Sequence, residues 1–132
     1  MEKWSAIYKT VCTAGGACVA YLYGGWTPLL GILLAFVVID YVTGFMAAAA
    51  NGKLSSKVGL AGITRKLFIF VMVAVAHLVD RAIGTELIMS AAIFFYLANE
   101  LLSIIENSGV IGLPVPPAVL QAVEILKGKG EQ

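Results

Sequence analysis

The fold is decided by a long apolar stretch, LLGILLAFVVIDYVTGFMAAAA, which occupies residues 29–50. A helix of about 20 predominantly apolar residues can cross the hydrocarbon core of a bilayer, so the stretch predicts a membrane-spanning helix. Its one charged residue, Asp40, lies near the middle, where inserting a carboxylate costs roughly 2.5 to 3.5 kcal/mol. Because so short a side chain cannot reach the interface, Asp40 is expected to face a helix partner or water.

Upstream of this stretch, the chain carries no charge between Lys9 and Asp40. One helix over that length would extend about 45 Å against a hydrocarbon core of about 30 Å, so it must break. Residues 24–28, Gly-Gly-Trp-Thr-Pro, predict the break, because paired glycines and a proline disfavour a helix interior and Trp favours the interface. The prediction is a helical hairpin with spans at about 4–24 and 29–50.

Downstream, residues 51–66 form a polar, glycine-punctuated connection in which Ser55 or Ser56 can cap a short interfacial helix. Two further spans are predicted at about 67–83 and 87–105. Prolines and glycines then keep 109–117 free of helix, and apolar residues at helical spacing in 118–127 predict a short amphipathic helix. The predicted fold is an all-α membrane protein, with a bundle of four transmembrane helices in 1–108 and a cytoplasmic segment, surface helix and tail in 109–132.

The composition excludes several other classes of protein. With 60% hydrophobic and only 13% charged residues, a chain of 132 residues lacks the polar surface of a small soluble domain. A net charge of +1 gives no basic field for nucleic acid. Two cysteines and one histidine support neither a zinc site nor a disulfide framework, and no nucleophile elbow or phosphate loop occurs, so no enzyme activity, metal or cofactor is predicted.

The basic residues predict the orientation in the membrane. If the N-terminus is cytoplasmic and all four spans cross, eight of the nine Lys and Arg residues lie inside and only Arg81 lies outside. Lys3 and Lys9 ahead of an apolar region also fit a signal peptide, but that region is too long and lacks a convincing cleavage site followed by a polar mature start. We therefore expect a multi-pass protein with both termini and the 51–66 connection in the cytoplasm.

Polar residues inside the predicted spans are the candidate association site. Asp40, Thr43 and Gly44 recur at helical spacing, and such stripes let helix backbones approach while polar groups bond across helices. Polar residues of the later spans can converge with Asp40 inside a bundle, or simply mark helix ends emerging into the headgroups. Asp40 itself is expected to take up a proton or to find donors on a neighbouring helix. The candidates are Asp40, Thr43, Gly44, His77, Asp80, Asn99 and Glu100.

Several of these residues lie in segments that resemble a known family. The segments DYVTG at 40–44, NGKLSSKVGLAGI at 51–63 and HLVD at 77–80, with Arg65-Lys66 between them, resemble the toxin-secretion and phage-lysis holin family. ANELLSIIEN at 98–107 and GLPVP at 112–116 resemble its C-terminal signature, so the likeness covers roughly residues 34–127. No single segment is a strict motif, but their order and spacing together are specific.

The resemblance implies a phage or prophage protein of the bacterial inner membrane that oligomerises into lesions. Such lesions release a cytoplasmic endolysin or, in clostridial relatives, assist the export of large toxins. The implied partners are the lipid bilayer, further copies of the chain, endolysin as passenger and, as a further candidate, an antiholin.

Two other functions stay open at this point. One is a small proton-coupled multidrug transporter, although such proteins carry their essential carboxylate on the first helix and the predicted first span here has none. The other is an antiholin or another regulatory membrane subunit.

Overall fold

The computed structural model describes residues 1–131, which fold into five α-helices joined by short connections. No β-strand occurs within that range, so the all-α prediction is confirmed. The helices are α1 (Glu2–Tyr23), α2 (Pro28–Ala50), α3 (Ser56–Ile83), α4 (Leu87–Ile111) and α5 (Pro117–Gly130).

Helix α1 ends and α2 begins at the Gly-Gly-Trp-Thr-Pro segment. Gly24 and Gly25 have φ angles of 74° and 112°, a region that residues with a β-carbon rarely adopt. The Thr27 hydroxyl caps α2 by accepting a hydrogen bond from the Leu30 N–H at 3.3 Å. Pro28 fits the first helical turn, where its missing N–H leaves no bond unmade. These local preferences stop one helix and start the next.

Helix α3 is longer than the sequence predicts, because it begins at Ser56 and not near residue 67. Ser55 accepts a hydrogen bond from the Val58 N–H at 3.2 Å and so caps the third span itself rather than a separate interfacial helix. Gly59 and Gly62 do not interrupt the helix, and both lie against the side chain of Tyr41 from α2. The α2–α3 connection is therefore only 51–55, and Lys66 lies inside a helix.

Helices α2, α3 and α4 are long and apolar enough to cross a membrane. Their outer surfaces carry large apolar side chains such as Val38, Phe45 and Phe68, each at least half exposed, which suits lipid contact far better than water. Helix α1 is not among the candidate spans, since Lys9 and several Thr and Gly residues dilute its apolar character. The count of four spans is therefore not confirmed, and a spanning α1 remains a prediction.

The three candidate spans share one apolar cluster. The buried members of this cluster lie in the first halves of α2 and α4 and in the second half of α3, as residue positions along each helix show. They therefore occupy the half of the bundle that contains the α3–α4 connection, which we call the α3–α4 end. At the opposite end, which we call the α2–α3 end, Asn107 of α4 bonds to Asp40 and Thr43 of α2, and over their whole length α2 and α3 make few direct contacts. The buried members of the apolar cluster are Leu30, Leu33, Val37, Val73, Ile93 and Leu97.

Helix α1 lies outside this bundle. None of its residues is buried, and it joins the bundle near its end, where the Tyr23 hydroxyl donates a hydrogen bond to the Phe70 carbonyl oxygen at 2.8 Å. Its small-residue stretch at 13–17 is exposed.

Helix α5 packs along α4 in the antiparallel direction. Val123 is buried, Leu126 packs on the apolar cluster, and the Lys129 ammonium lies 5.6 Å from the centre of the Phe94 ring. A β-carbon on Gly130 would lie 3.1 Å from the Phe95 nitrogen, so glycine lets the two helices approach more closely here than a residue with a side chain would. The predicted surface position of the C-terminal helix is not confirmed, because its apolar face is covered by α4.

Candidate functional site: an ion network between apolar helices

Asp40 faces the bundle because it belongs to the buried stripe of α2. Leu30, Leu33, Val37, Asp40 and Ala47 are all buried, and their spacings of three, four and seven residues keep them on one helix face. Asp40 is only 5% exposed, so this carboxylate is packed among neighbouring helices and does not face lipid. The apolar stripe that folds α2 against α4 thus also fixes where the charge points.

The partner of Asp40 is Lys66 on α3, which also binds Glu100 on α4. The Lys66 Nζ contacts Asp40 Oδ2 and lies 2.9 Å from Glu100 Oε2. Glu100 is only 6% exposed, and the Lys66 side chain is largely buried. One ammonium therefore bridges two carboxylates that come from different helices, and the three residues form what we call the ion network.

Asn107 extends the ion network toward the α2–α3 end. Its Nδ2 donates to Asp40 Oδ1 and to Thr43 Oγ1, both at 2.9 Å, and approaches the Asp40 carbonyl oxygen at 3.2 Å. The Thr43 hydroxyl in turn donates to the Ile39 carbonyl oxygen at 2.8 Å. A β-carbon on Gly44 would lie 3.5 Å from Asn107 Nδ2, which leaves space for alanine but for little more. The predicted stripe of α2 therefore faces α4 of the same chain.

The energetics of the ion network are asymmetric. Burying ions is costly, so a complete network adds little to stability, whereas removing one partner of a buried ion pair costs about 3 to 5 kcal/mol. Here one positive charge serves two negative charges, so Lys66 is the residue whose loss leaves most charge uncompensated. The arrangement fixes how α2, α3 and α4 meet more than how tightly they hold together.

His77 and Asp80 lie elsewhere on α3, about 16 Å and 21 Å along the helix from Lys66. The Asp80 carboxylate accepts hydrogen bonds from the Thr85 hydroxyl at 2.6 Å and from the N–H groups of Ile88 and Met89 at 3.0 and 2.7 Å. It therefore caps the start of α4, which has no cap of its own from Glu86.

His77 packs against the α1–α2 turn. A β-carbon on Gly24 would lie 2.9 Å from its ring, and the buried Nε2 has no hydrogen-bond partner within residues 1–131. The structure thus brings Asp40, Thr43, Gly44 and Glu100 together and places His77 and Asp80 near the α3–α4 end.

A cavity of about 570 Å³ lies beside the ion network, between α2, α3 and α4. It follows α3 from Ser55 to Ile69, which is about 21 Å of helix. Asn99, the remaining sequence-predicted candidate, is exposed and lines this cavity, and its side chain makes no hydrogen bond to Asp40. In the part of the chain that the structure describes, no group of three or more His, Cys, Asp and Glu residues could hold a metal ion.

Lys66 and Asn107 are the main partners of Asp40. Sequence reasoning missed Lys66, whereas Asn107 is one of the polar residues of α4 that it expects to converge with Asp40, although the list of candidates omits it. The sequence places Lys66 at the end of the polar, glycine-punctuated connection 51–66 and counts it among the cytoplasmic basic residues. The signal that identifies it is the spacing of α3, where 59, 62, 66, 69, 73, 76 and 80 alternate by three and four and none is exposed. Lys66 is the only basic residue on that stripe.

Three apolar candidate spans around a buried ion network define the class as a small multi-pass α-helical membrane protein. The chain belongs to the bacteriophage holin family, whose model matches residues 17–128.

Relatives of similar length support the assignment. An uncharacterized protein of Halalkalibacterium halodurans is 54% identical over 132 residues, which cover 96% of this chain and 93% of the relative. A protein of Clostridium perfringens is 36% identical, covering 86% of this chain and 88% of its own. A probable holin of Bacillus phage phi105 is 32% identical over 114 residues, covering 86% and 84% of the two chains. No solved structure matches.

Proposed function

We propose that this protein is a holin that oligomerises in the bacterial inner membrane and forms lesions through which endolysin, or an exported toxin, leaves the cytoplasm. The observation that carries the proposal is the ion network of Asp40, Lys66 and Glu100, held between helices whose exteriors are apolar. Family membership and the phage phi105 relative named a probable holin support it. Membership in this family also favours a non-enzymatic membrane protein.

The charged groups of the ion network can be stabilised in two arrangements of the helices, one closed and one open to water. In the closed arrangement of the single chain, the charged groups form ion pairs and hydrogen bonds with one another, because lipid offers them no hydrogen-bond partners. If neighbouring copies let α2, α3 and α4 separate around water, hydration replaces the lost ion pairs, and the exposed carboxylates and amides become the lining of the lesion. We assign that lining to the helix faces that carry Asp40, Glu100 and Asn107.

The proposed orientation rests on the basic residues that lie outside the ion network and outside α5. Lys66 is buried in the ion network, and α5 runs back along α4 so that Lys129 lies beside Phe94, in the half of the bundle at the α3–α4 end. With α1 spanning, only Arg81 of the remaining basic residues lies at the α3–α4 end, and five lie at the α2–α3 end, which favours the α2–α3 connection in the cytoplasm: Lys3, Lys9, Lys53, Lys57 and Arg65. If α1 does not span, Lys3 and Lys9 change sides and the count becomes three to three.

One observation favours a transporter as the second candidate. Buried carboxylates beside a cavity of about 570 Å³ are an arrangement that small-molecule sites share. A transporter would move small solutes and retain proteins, and an antiholin would delay lysis by another holin without lysing cells itself. A holin lets folded protein cross the membrane, whereas a transporter or an antiholin alone does not, so the passage of folded protein distinguishes the three.

The test is induction of this protein in a bacterium together with a cytoplasmic endolysin that lacks an export signal. We expect abrupt lysis at a reproducible time, whereas the same holin with a catalytically dead endolysin should stop growth without lysis. Endolysin without the holin is the matched control. Cells that stay intact with an undiminished membrane potential, although the protein is found in their membranes, would rule out the holin proposal.

A further inference from the structure

The apolar cluster, the ion network and the cavity follow one another along the bundle axis. The apolar cluster fills the α3–α4 end, the ion network lies next to it, and the cavity extends from there to Leu54 and Ser55 at the α2–α3 end. Polar groups are thus found on one side of the ion network and a dry apolar seal on the other.

Side chains that line the cavity lie deep within the hydrocarbon region. Asn99 and Ser103 are 12 and 8 residues from the end of α4 at Ile111, which is about 18 and 12 Å along the helix. A helix of 25 residues is about 37 Å long, so a hydrocarbon core of about 30 Å begins roughly 4 Å inside its end. Asn99 therefore lies close to the bilayer centre.

The polar groups at this depth are not all satisfied by the protein. The exposed amide of Asn99 makes no hydrogen bond to any described residue, and Lys66 uses two of its three N–H donors. An unsatisfied amide in hydrocarbon costs several kcal/mol. Water in the cavity removes that cost, and about 570 Å³ has room for roughly 15 to 20 molecules at about 30 Å³ each.

We propose that this cavity is a water-filled vestibule, open at the α2–α3 end, which brings water and small cations to Asp40 and Glu100 from one side of the membrane only. The apolar cluster closes it toward the opposite side. This is a property of the single folded chain before any assembly, so it does not rest on the proposed function. The carboxylates supply the attraction for cations, and the aromatic and aliphatic lining keeps the vestibule narrow.

The test is thiol accessibility in intact membranes, with Cys12→Ser and Cys18→Ser as background. Ser103→Cys is the probe, and Leu102→Cys is its matched control at the same depth on the outer surface of α4. A charged, membrane-impermeant methanethiosulfonate is applied from either side, and Lys53→Cys marks the α2–α3 side. Since a thiol must be wetted to ionise and react, we expect Ser103→Cys to react at least about tenfold faster than Leu102→Cys, and only from the Lys53→Cys side.

Equal rates for Ser103→Cys and Leu102→Cys would overturn the vestibule, and equal reaction from both sides would overturn the seal. Asn99→Cys serves as a second probe with the same expectation, should Ser103→Cys fail to reach the membrane. Lysis is scored separately for the same background protein. Lysis with an unreactive Ser103→Cys would refute the vestibule and leave the holin proposal intact, and a reactive probe without lysis would do the reverse.

Discussion

Replacing Lys66 by methionine is the sharpest perturbation of the ion network. Methionine keeps the length of the lysine stem but removes the ammonium that contacts Asp40 and lies 2.9 Å from Glu100. Two charge-assisted hydrogen bonds are lost, at about 1.5 to 3 kcal/mol each, which agrees with the cost of about 3 to 5 kcal/mol for breaking a buried ion pair. Because native proteins are stable by about 5 to 15 kcal/mol, the expected loss is a large fraction of the total.

The assay is reversible denaturant unfolding of the purified protein in detergent micelles, followed by circular dichroism. Lys57→Met is the matched control, since Lys57 lies exposed in the first turn of α3 and should change the unfolding free energy by less than about 0.5 kcal/mol. Adding Glu100→Gln to Lys66→Met should recover part of the loss, because it removes one of the two carboxylates whose charge Lys66 compensates. A Lys66→Met protein as stable as Lys57→Met would refute the claim that Lys66 is held between the helices.

The remaining predictions concern assembly, helix capping and topology. Asp40→Asn, which keeps hydrogen bonding, should still oligomerise with altered lysis timing, whereas Asp40→Leu should insert readily yet give shorter crosslinking ladders; wild-type ladders and timing in Asp40→Leu would contradict this. Asp80→Ala should lower the unfolding free energy by about 0.5 to 2 kcal/mol through loss of the α4 cap, measured in the same micelles, and no change would exclude that role. Cysteines at Lys53 and Thr85 should label from opposite sides of the membrane, and same-side labelling would contradict three crossing helices. A cysteine at Lys9 should label from the same side of the membrane as one at Lys53 if α1 crosses, and from the same side as one at Thr85 if it does not.

Much of the fold is predictable because bilayer thickness and helix geometry constrain it so strongly. The break at 24–28, the all-α class and the inward position of Asp40 follow from residue types that have few alternatives in lipid. The start of α3 is harder to predict, because Gly59, Gly62 and three basic residues resemble a loop in isolation. Only the packing of Tyr41 against both glycines shows why the helix continues there.

The candidate site was only partly predictable for a related physical reason. A lysine near the end of an apolar run normally marks the cytoplasmic boundary, so Lys66 was counted toward topology and not toward the site. Which basic residue turns inward depends on the register of α3 against α2 and α4, and a single sequence gives that register only through the spacing of its buried stripe. Asp80 illustrates the converse, since a carboxylate near the end of a predicted span can serve as a local helix cap.

Release of a folded protein from sealed vesicles tests the central claim most directly. The purified protein is reconstituted at increasing density into vesicles that contain both a small fluorescent dye and a labelled endolysin-sized protein, and protein-free vesicles serve as the control. The holin account predicts release of both cargoes once crosslinking shows that oligomers have formed. Retention of the protein cargo at densities where oligomers are present would contradict it.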